Sequence, residues 1–240
     1  MDSLRDQVVV ITGCAKGLGR ATALALAEEG AVIAGHFHTS RKEAAELLIR
    51  LRERNPRSSM RQADLRDESA TRHLFEEIFK EYGRVDVLIN NVGNFIYTPF
   101  PQTELRQFAD VIETNLYTTF LCSNLVLERM KAQGGGRIIN FGCAGADRQI
   151  IREKTTPYYI AKTGVIMLTK ITARSYAEHG IRVNAISPGV LESSVAEPLS
   201  MPSGRRADFN DILNAIRFLL DPRSEYVNGA NIEVAGGWTP

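Results

Sequence analysis

Tyr158 and Lys162, four positions apart, are the side chains of this chain best suited to proton transfer. Both fall in a predicted helix over Pro157–Glu178, so they project from the same helical face. A phenol has a reference pKa of about 10 and exchanges protons poorly at neutral pH, but a nearby ammonium stabilises the phenolate and lowers that pKa. The pair predicts general acid–base chemistry in which Tyr158 is the proton donor.

A glycine-rich turn follows the first predicted strand and leads directly into an amphipathic helix. Gly13 permits a tight exit from the strand, Gly17 lets the backbone approach a pyrophosphate, and Gly19 lets helix and strand pack closely. The helix N-terminus adds unpaired N–H groups that suit an anion. This context predicts a dinucleotide-binding turn.

The segment at the end of the second predicted strand, His36–Arg41, carries no carboxylate. A free ribose hydroxyl usually meets an acid at this point. Hydroxyls, a histidine and the cations Lys16 and Arg41 favour a phosphate on that ribose, so NADP(H) is favoured and NAD(H) remains possible. Asp64, after the third strand, could contact the adenine or cap the next helix. The cofactor-binding candidates in these segments are Gly13, Lys16, Gly17, Leu18, Gly19, His38, Thr39, Ser40, Asp64 and Leu65. Tyr158 and Lys162 are cofactor-binding candidates as well, with Lys162 expected to hold the cofactor ribose.

The elements that position these residues alternate between strand and helix. Short β-branched runs predict strands at Gln7–Thr12, Ala31–His36, Ser59–Gln62, Val85–Asn90, Arg137–Phe141, Arg182–Ser187 and Asn231–Val234. Apolar residues at helical spacing predict helices at Leu18–Glu29, Arg41–Asn55, Glu68–Tyr82, Thr103–Lys131, Pro157–Glu178 and Asp208–Leu220. Such alternation predicts an α/β, three-layer doubly wound (Rossmann) fold around a seven-stranded, mainly parallel sheet, with 1–240 as a single domain.

Composition excludes several classes of partner. The 29 basic and 28 acidic residues are spread along the chain and give a net charge of +1, which favours neither nucleic acid nor anionic lipid. The three cysteines fit a reducing compartment better than a disulfide framework. The apolar run near the N-terminus is too brief for a signal peptide or a spanning helix. A cytoplasmic protein without a metal site is expected.

In motif order and spacing the chain resembles the classical short-chain dehydrogenases/reductases over essentially its whole length. The residues that carry the resemblance are the glycine turn, Asn90-Asn91-Val92-Gly93, Asn115, Tyr158 with Lys162, Pro188-Gly189 and the segment Gly229–Gly237. The resemblance implies that Asn91 and Gly93 support the central strand beside the cofactor and that Asn115 orients a proton-relay water through Lys162. It also implies that Pro188 and Gly189 flank the nicotinamide and that Tyr158 protonates a carbonyl oxygen.

One position departs from the family pattern. Cys143 stands where the family usually has a serine that hydrogen-bonds the substrate oxygen. A thiol is a weaker donor than a hydroxyl, so Cys143 is either a weakened catalytic residue or a small buried filler. Asp147, Thr155 and Thr156 lie in the loop before Tyr158 and are candidates to replace the missing hydroxyl.

Two types of relative remain open as guides to the substrate. The pattern His36-Phe37-His38-x-Ser40, the stretch Gln62–Leu65 and the missing serine are similar to pteridine reductases. The segment Asp208–Leu220 and the glycine-rich C-terminus are similar to ketoacyl-thioester reductases. Phe95, Tyr97 and Phe100 offer an aromatic wall, and the lid segment Val190–Pro202 is short. A reductase of a small carbonyl or pteridine-type C=N compound is expected.

The alternative is a cofactor-binding sensor or scaffold with little turnover, because Cys143 replaces the serine. The resemblance also implies a homo-oligomer, a dimer or tetramer, formed through the two longest predicted helices. Trp238 either joins that interface or covers its own core.

Overall fold

The computed structural model describes residues 4–148, 150–194 and 200–239. Seven strands form one sheet in the order β3-β2-β1-β4-β5-β6-β7. Their bounds are Val8–Ile11 (β1), Val32–Phe37 (β2), Ser59–Gln62 (β3), Val87–Asn90 (β4), Gly136–Phe141 (β5), Ile181–Pro188 (β6) and Asn231–Val234 (β7). Every neighbouring pair is parallel. The predicted doubly wound Rossmann fold is confirmed, and the sheet is parallel throughout.

Seven α-helices flank the sheet in the described residues. They are Gly17–Glu28 (α1), Arg41–Arg54 (α2), Glu68–Tyr82 (α3), Leu105–Ile112 (α4), Thr118–Ala132 (α5), Thr156–Tyr176 (α6) and Phe209–Leu220 (α7). None of the helices that the structure describes is both long and apolar enough to cross a membrane. Within the same residues, no group of three or more His, Cys, Asp or Glu side chains is placed to hold a metal ion.

The helix predicted over Thr103–Lys131 is present as one continuous helical stretch from Leu105 to Ala132, but it is not α-helical throughout. A π-helical segment, Glu113–Tyr117, separates α4 from α5. The hydroxyl of Thr114 donates to the carbonyl of Asp110 at 2.6 Å, and that of Thr118 donates to the carbonyl of Thr114 at 2.7 Å. Such back-bonding competes with the regular backbone ladder, and π-helical turns are frequent at functional sites.

Alternate residues of each central strand face opposite layers of the core. Val9 and Ile11 of β1 pack with residues of α1, α2 and α7, whereas Val8 and Val10 pack with residues of α3, α5 and α6. Because both faces of the sheet are covered, the sequences of the central strands are continuous apolar runs. The sheet order reverses between β1 and β4, and a crevice for ligands is expected at the carboxyl ends of these two strands.

Candidate active site

The glycine turn leaves an open surface at the N-terminus of α1. Gly13 has φ +63° and Gly17 has φ +55°, which is backbone that residues other than glycine rarely adopt. A Cβ atom on Gly19 would lie 2.6 Å from Asn91 Nδ2 and 2.8 Å from the carbonyl oxygen of Gly13. By contrast, a Cβ on Gly17 would meet nothing within 4 Å among the described residues. The turn therefore packs tightly on one side and is open, on the other, to a ligand at the helix N-terminus.

Asn91 joins the end of β4 to this turn. Its side-chain amide donates to the carbonyls of Thr12, at 3.0 Å, and Gly13, at 3.1 Å, and its backbone N–H donates to the hydroxyl of Thr12 at 2.9 Å. These bonds hold the two central strands in register at the crevice.

Both ring nitrogens of His36 are hydrogen-bonded within the fold. Its Nδ1 accepts from the N–H of Gly13 at 3.1 Å, and its Nε2 lies 3.0 Å from the carbonyl of Ala63, to which it donates. The ring is therefore neutral, and burial lowers the pKa of His36 to about 4.

Lys16 has a partner that its position in the sequence does not suggest. Its ammonium lies 2.8 Å from Oε1 of Glu43, in the first turn of α2, and this contact lowers the pKa of the Glu43 carboxyl. Glu43, two residues beyond the segment His36–Arg41, therefore brings a carboxylate to Lys16. Arg41 donates to Oε1 of Gln62 at 2.8 Å, while His38 and Thr39 are exposed at the rim.

A groove of about 280 Å³ lies beside the turn and contains Gly13, His38, Asp64 and Leu65. The carboxylate of Asp64 is bonded by the guanidinium of Arg66, at 2.7 Å for the shortest contact, which holds the pKa of Asp64 down at about 2. Arg66 also donates to Asp110 of α4 at 3.0 Å. Asp64 therefore lines the groove with its charge already paired to Arg66. Arg66 in turn links Asp64 on one side of the groove to Asp110 of α4 on the other.

A larger cavity of about 350 Å³ adjoins this groove at the carboxyl ends of β4, β5 and β6. The predicted site residues that line it are Leu18, Asn91, Gly93, Asn115, Cys143, Tyr158, Lys162, Pro188 and Gly189. The candidates Lys16, Gly17, Gly19, Thr39 and Ser40 line neither cavity nor groove. The sequence candidates thus divide into a catalytic cavity, an adjoining groove and an outer rim.

Tyr158 is the third residue of α6, and Lys162 follows one turn later. Lys162 Nζ lies 5.5 Å from the Tyr158 ring centroid and donates to the carbonyl of Phe141 at 2.8 Å. Burial raises the pKa of Tyr158 and lowers that of Lys162 to about 8. The expected lowering of the phenol pKa is therefore not seen, and Tyr158 is held as a protonated acid.

Cys143 lies in the cavity wall with its thiol 3.6 Å from the carbonyl oxygen of Ala144. Burial raises the pKa of the thiol, so it is protonated at neutral pH. The hydroxyl of Tyr159 donates to the same carbonyl at 3.1 Å. Neither group is therefore a free, strong donor for a substrate oxygen.

The structure distinguishes the three candidate replacements for the missing serine. Asp147 accepts from Asn231 at 3.2 Å, and the hydroxyl of Thr156 donates to the carbonyl of Arg152 at 3.0 Å; neither residue lines the cavity. Thr155 does line it, and its buried hydroxyl has no hydrogen-bond partner within the described residues. Thr155 is thus the remaining candidate.

Asn115 lies in the π-helical segment and is fully buried. Its amide nitrogen donates to the carbonyls of Asn94, at 2.9 Å, and Val111, at 3.0 Å, whereas its Oδ1 has no partner among the described residues. A Cβ on Gly93 would lie 2.3 Å from that oxygen, so only glycine fits there. The π-helical turn thus directs an unpaired amide oxygen toward the end of β4.

Two of the three residues of the predicted aromatic wall line the cavity, together with Arg152, which the sequence did not single out. Phe95 packs edge-on against Tyr158 with ring centroids 5.1 Å apart, and Tyr97 also lines the cavity, whereas Phe100 does not. Arg152 and Trp238 lie together in the cavity wall although they are far apart in the chain. Residues 195–199 of the expected lid lie outside the described residues.

Fold and cavity together define a Rossmann-type α/β protein whose candidate active site contains a tyrosine–lysine pair at the carboxyl ends of the strands. The chain belongs to the short chain dehydrogenase family, whose sequence model matches residues 7–203. Members of this family are oxidoreductases, and the general class predicted from the sequence is confirmed.

The chain is similar to curated members over nearly its full length. It is 33% identical over 246 residues to the 3-oxoacyl-(acyl-carrier-protein) reductase FabG of Staphylococcus epidermidis, covering 97% of this chain and 98% of that protein. It is 32% identical to the 2-dehydro-3-deoxy-D-gluconate 5-dehydrogenase of Escherichia coli, covering 98% and 96%. The solved structure of levodione reductase superposes with a TM-score of 0.88 at 30% identity and covers 98% of both chains. The similarity to FabG supports the ketoacyl-reductase side of the resemblance.

Proposed function

We propose that this protein is an NADP(H)-dependent oxidoreductase that reduces a carbonyl group of a small substrate, with Tyr158 as the general acid. The observation that carries the proposal is a phenol kept protonated by burial in a cavity that also contains Lys162. A protonated acid of this kind suits the reductive direction, in which the substrate oxygen gains a proton.

The residues present fit a dinucleotide. The open side of the turn at Gly17 suits a pyrophosphate, the groove at Leu65 suits an adenine, and Pro188 and Gly189 suit the nicotinamide end. When bound, NADP(H) supplies the hydride. A Cβ on Gly189 would lie 2.9 Å from Ala235, so a glycine is needed for the close contact of these two segments at the cavity wall.

The side chains of the cavity have separate roles in this proposal. Tyr158 donates a proton to the substrate oxygen, and the positive charge of Lys162 favours the phenolate that remains. The hydroxyl of Thr155 donates a hydrogen bond to the same oxygen, a role for which the thiol of Cys143 is the weaker candidate. Asn115 positions the end of β4 through Asn94.

The preference for NADP(H) depends on Lys16. No carboxylate lies within His36–Arg41, but Glu43 holds the ammonium of Lys16 at 2.8 Å. A ribose phosphate would have to displace Glu43 or share Lys16 with it. The exposed position of this pair makes such exchange inexpensive.

Glu43→Gln is therefore expected to lower KM for NADPH by about two- to fivefold, since it frees Lys16 and removes one negative charge from the phosphate site. KM for NADH should stay unchanged. Steady-state KM values for both cofactors measure the effect. Glu46→Gln, an exposed carboxylate on the same helix, is the matched control. A rise in KM for NADPH would contradict the assignment of Lys16 to a ribose phosphate.

Among substrate types, a carbonyl compound is favoured over a pteridine. The pattern His36-Phe37-His38 was one link to pteridine reductases, and His36 is occupied within the fold. The similar proteins are named as reductases and dehydrogenases, which also favours turnover over a sensor or scaffold.

The test is oxidation of NADPH and of NADH, in separate assays, by the purified protein with 3-oxoacyl thioesters, diketones, small oxo acids and dihydropteridines. Carbonyl-dependent oxidation of NADPH is expected. Cofactor binding without turnover of any substrate would favour the sensor, and turnover of dihydropteridines alone would favour the C=N reaction.

We also propose that a second copy of this chain covers an apolar face of α6. Ile160, Met167 and Ile171 are 48%, 61% and 57% exposed at spacings that place them on one side of the helix, with Phe120 of α5 also exposed. Light scattering should give two or four times 26.6 kDa. Met167→Arg should shift the mass toward that of one chain, and a wild-type monomer would contradict this assignment.

A further inference from the structure

The cavity contains one cationic side chain that the proposed proton transfer does not use. Arg152 lies just before α6, and its guanidinium carbon is 5.6 Å from the Tyr159 ring centroid and 5.8 Å from that of Trp238. Within the described residues, its guanidinium has no hydrogen-bond or ion-pair partner, and no carboxylate lines the cavity.

Nearby arginines behave differently. Arg148 pairs with Glu233 at 3.0 Å, and Arg205 pairs with Asp211 at 2.7 Å. Stacking on two aromatic rings restrains the Arg152 guanidinium while leaving its N–H donors available, an arrangement suited to a planar anion. An unpaired, positioned cation in a half-enclosed cavity therefore indicates an anionic ligand.

We propose that Arg152 binds a carboxylate of the substrate and that the substrate is a small oxo acid whose carbonyl faces Tyr158. That the substrate has a carbonyl group rests on the proposed reductase function. That it also has a carboxylate rests on Arg152 alone. A phosphate carries close to two negative charges and commonly recruits more than one cation. Lys162 is the other cation among the described residues that line the cavity, and it donates to the carbonyl of Phe141 at 2.8 Å. Only the single positive charge of Arg152 is therefore left for the ligand, which matches one carboxylate.

The size of the cavity agrees with this class of substrate. The ring centroids of Tyr158 and Tyr159 are 6.3 Å apart, and the Arg152 guanidinium lies over the second of these rings. A molecule of a few carbons can therefore contact both the phenol and the guanidinium. A volume of about 350 Å³ is at the small end of ligand sites.

Binding can be measured without turnover, because Trp238 is the only tryptophan of the chain and lies against Arg152. The protein is saturated with NADP⁺ and titrated with 3-oxobutanoate, 4-oxopentanoate and 5-oxohexanoate, with their methyl esters, and with dihydroxyacetone phosphate, while Trp238 fluorescence is recorded. At least one acid is expected to bind about tenfold or more tightly than its ester and than the phosphate.

Arg152→Gln should weaken binding of that acid by about 10- to 10²-fold and leave the ester unchanged. Arg148→Gln, which removes a nearby surface charge outside the cavity lining, should match the wild type. With NADPH, Arg152→Gln should raise KM for the acid by the same factor while kcat stays within about threefold, as expected for a group that binds ground state and transition state equally.

The two proposals fail in different ways. Acid binding that depends on Arg152 without turnover supports the carboxylate site and overturns the reductase function. Equal affinity for acid and ester, wild-type affinity in Arg152→Gln, tighter binding of dihydroxyacetone phosphate, or no binding of any acid overturns the carboxylate site.

Discussion

Tyr158→Phe is expected to lower kcat for carbonyl reduction by about 10²- to 10⁴-fold. The substitution removes only the hydroxyl, and the ring can keep its edge-on contact with Phe95. Because the phenol touches neither the turn at Gly13 nor the groove at Asp64, the dissociation constant for NADPH should change by no more than about twofold. Stopped-flow measurement of a single turnover, together with a fluorescence titration of NADPH, separates the two quantities.

Tyr159→Phe is the matched comparison. The hydroxyl of Tyr159 donates to the carbonyl of Ala144, so its loss should cost stability of about 1 kcal/mol and leave proton transfer intact. A Tyr158→Phe protein that keeps more than about a tenth of the wild-type rate would remove Tyr158 from the mechanism.

The pH dependence of the wild type tests the same pair. Burial raises the pKa of Tyr158, so the acid stays protonated through neutral pH, and it lowers the pKa of Lys162 to about 8. Above that pH Lys162 loses its charge and no longer favours the phenolate that is left when Tyr158 gives up its proton. The rate of reduction should therefore fall above about pH 8 while the protein remains folded.

The fold was predictable from sequence because its signals are local. Continuous apolar strands such as Val8–Ile11, alternating with amphipathic helices, specify a parallel sheet with two covered faces. The π-helical segment between α4 and α5 was not predictable in this way. It depends on whether threonine hydroxyls such as that of Thr114 bond to the preceding turn or point elsewhere, and both outcomes have the same sequence pattern.

The part of the site that lies within a single local motif was predictable from sequence. Tyr158 and Lys162 occupy one helix, so their spacing alone places them together. Arg152 and Trp238 meet only because β7 brings the C-terminal segment to the cavity, and no local signal records such a contact. The role of His36 is likewise decided by burial and by its bond to Gly13, and sequence reveals neither.

Thr155→Val is the second substitution with a large expected effect, a loss of kcat/KM for reduction of about 10²-fold. Its hydroxyl lines the cavity and has no partner within the described residues, so valine of similar shape removes a hydrogen bond that forms only with substrate. The free energy of unfolding should stay the same or rise, because an unsatisfied buried polar group is costly. Thermal denaturation and steady-state kinetics on the same preparation test both statements.

Cys143→Ser provides the rescue that distinguishes a hydrogen bond to substrate from a general packing effect. In the wild type, a serine at 143 should raise kcat/KM only modestly, since Thr155 already donates to the substrate oxygen. In the Thr155→Val background it should restore most of the lost rate, because a hydroxyl again lies in the cavity wall. If Thr155→Val reduces the carbonyl as fast as the wild type, the thiol of Cys143 is sufficient and the departure from the family serine has no catalytic cost.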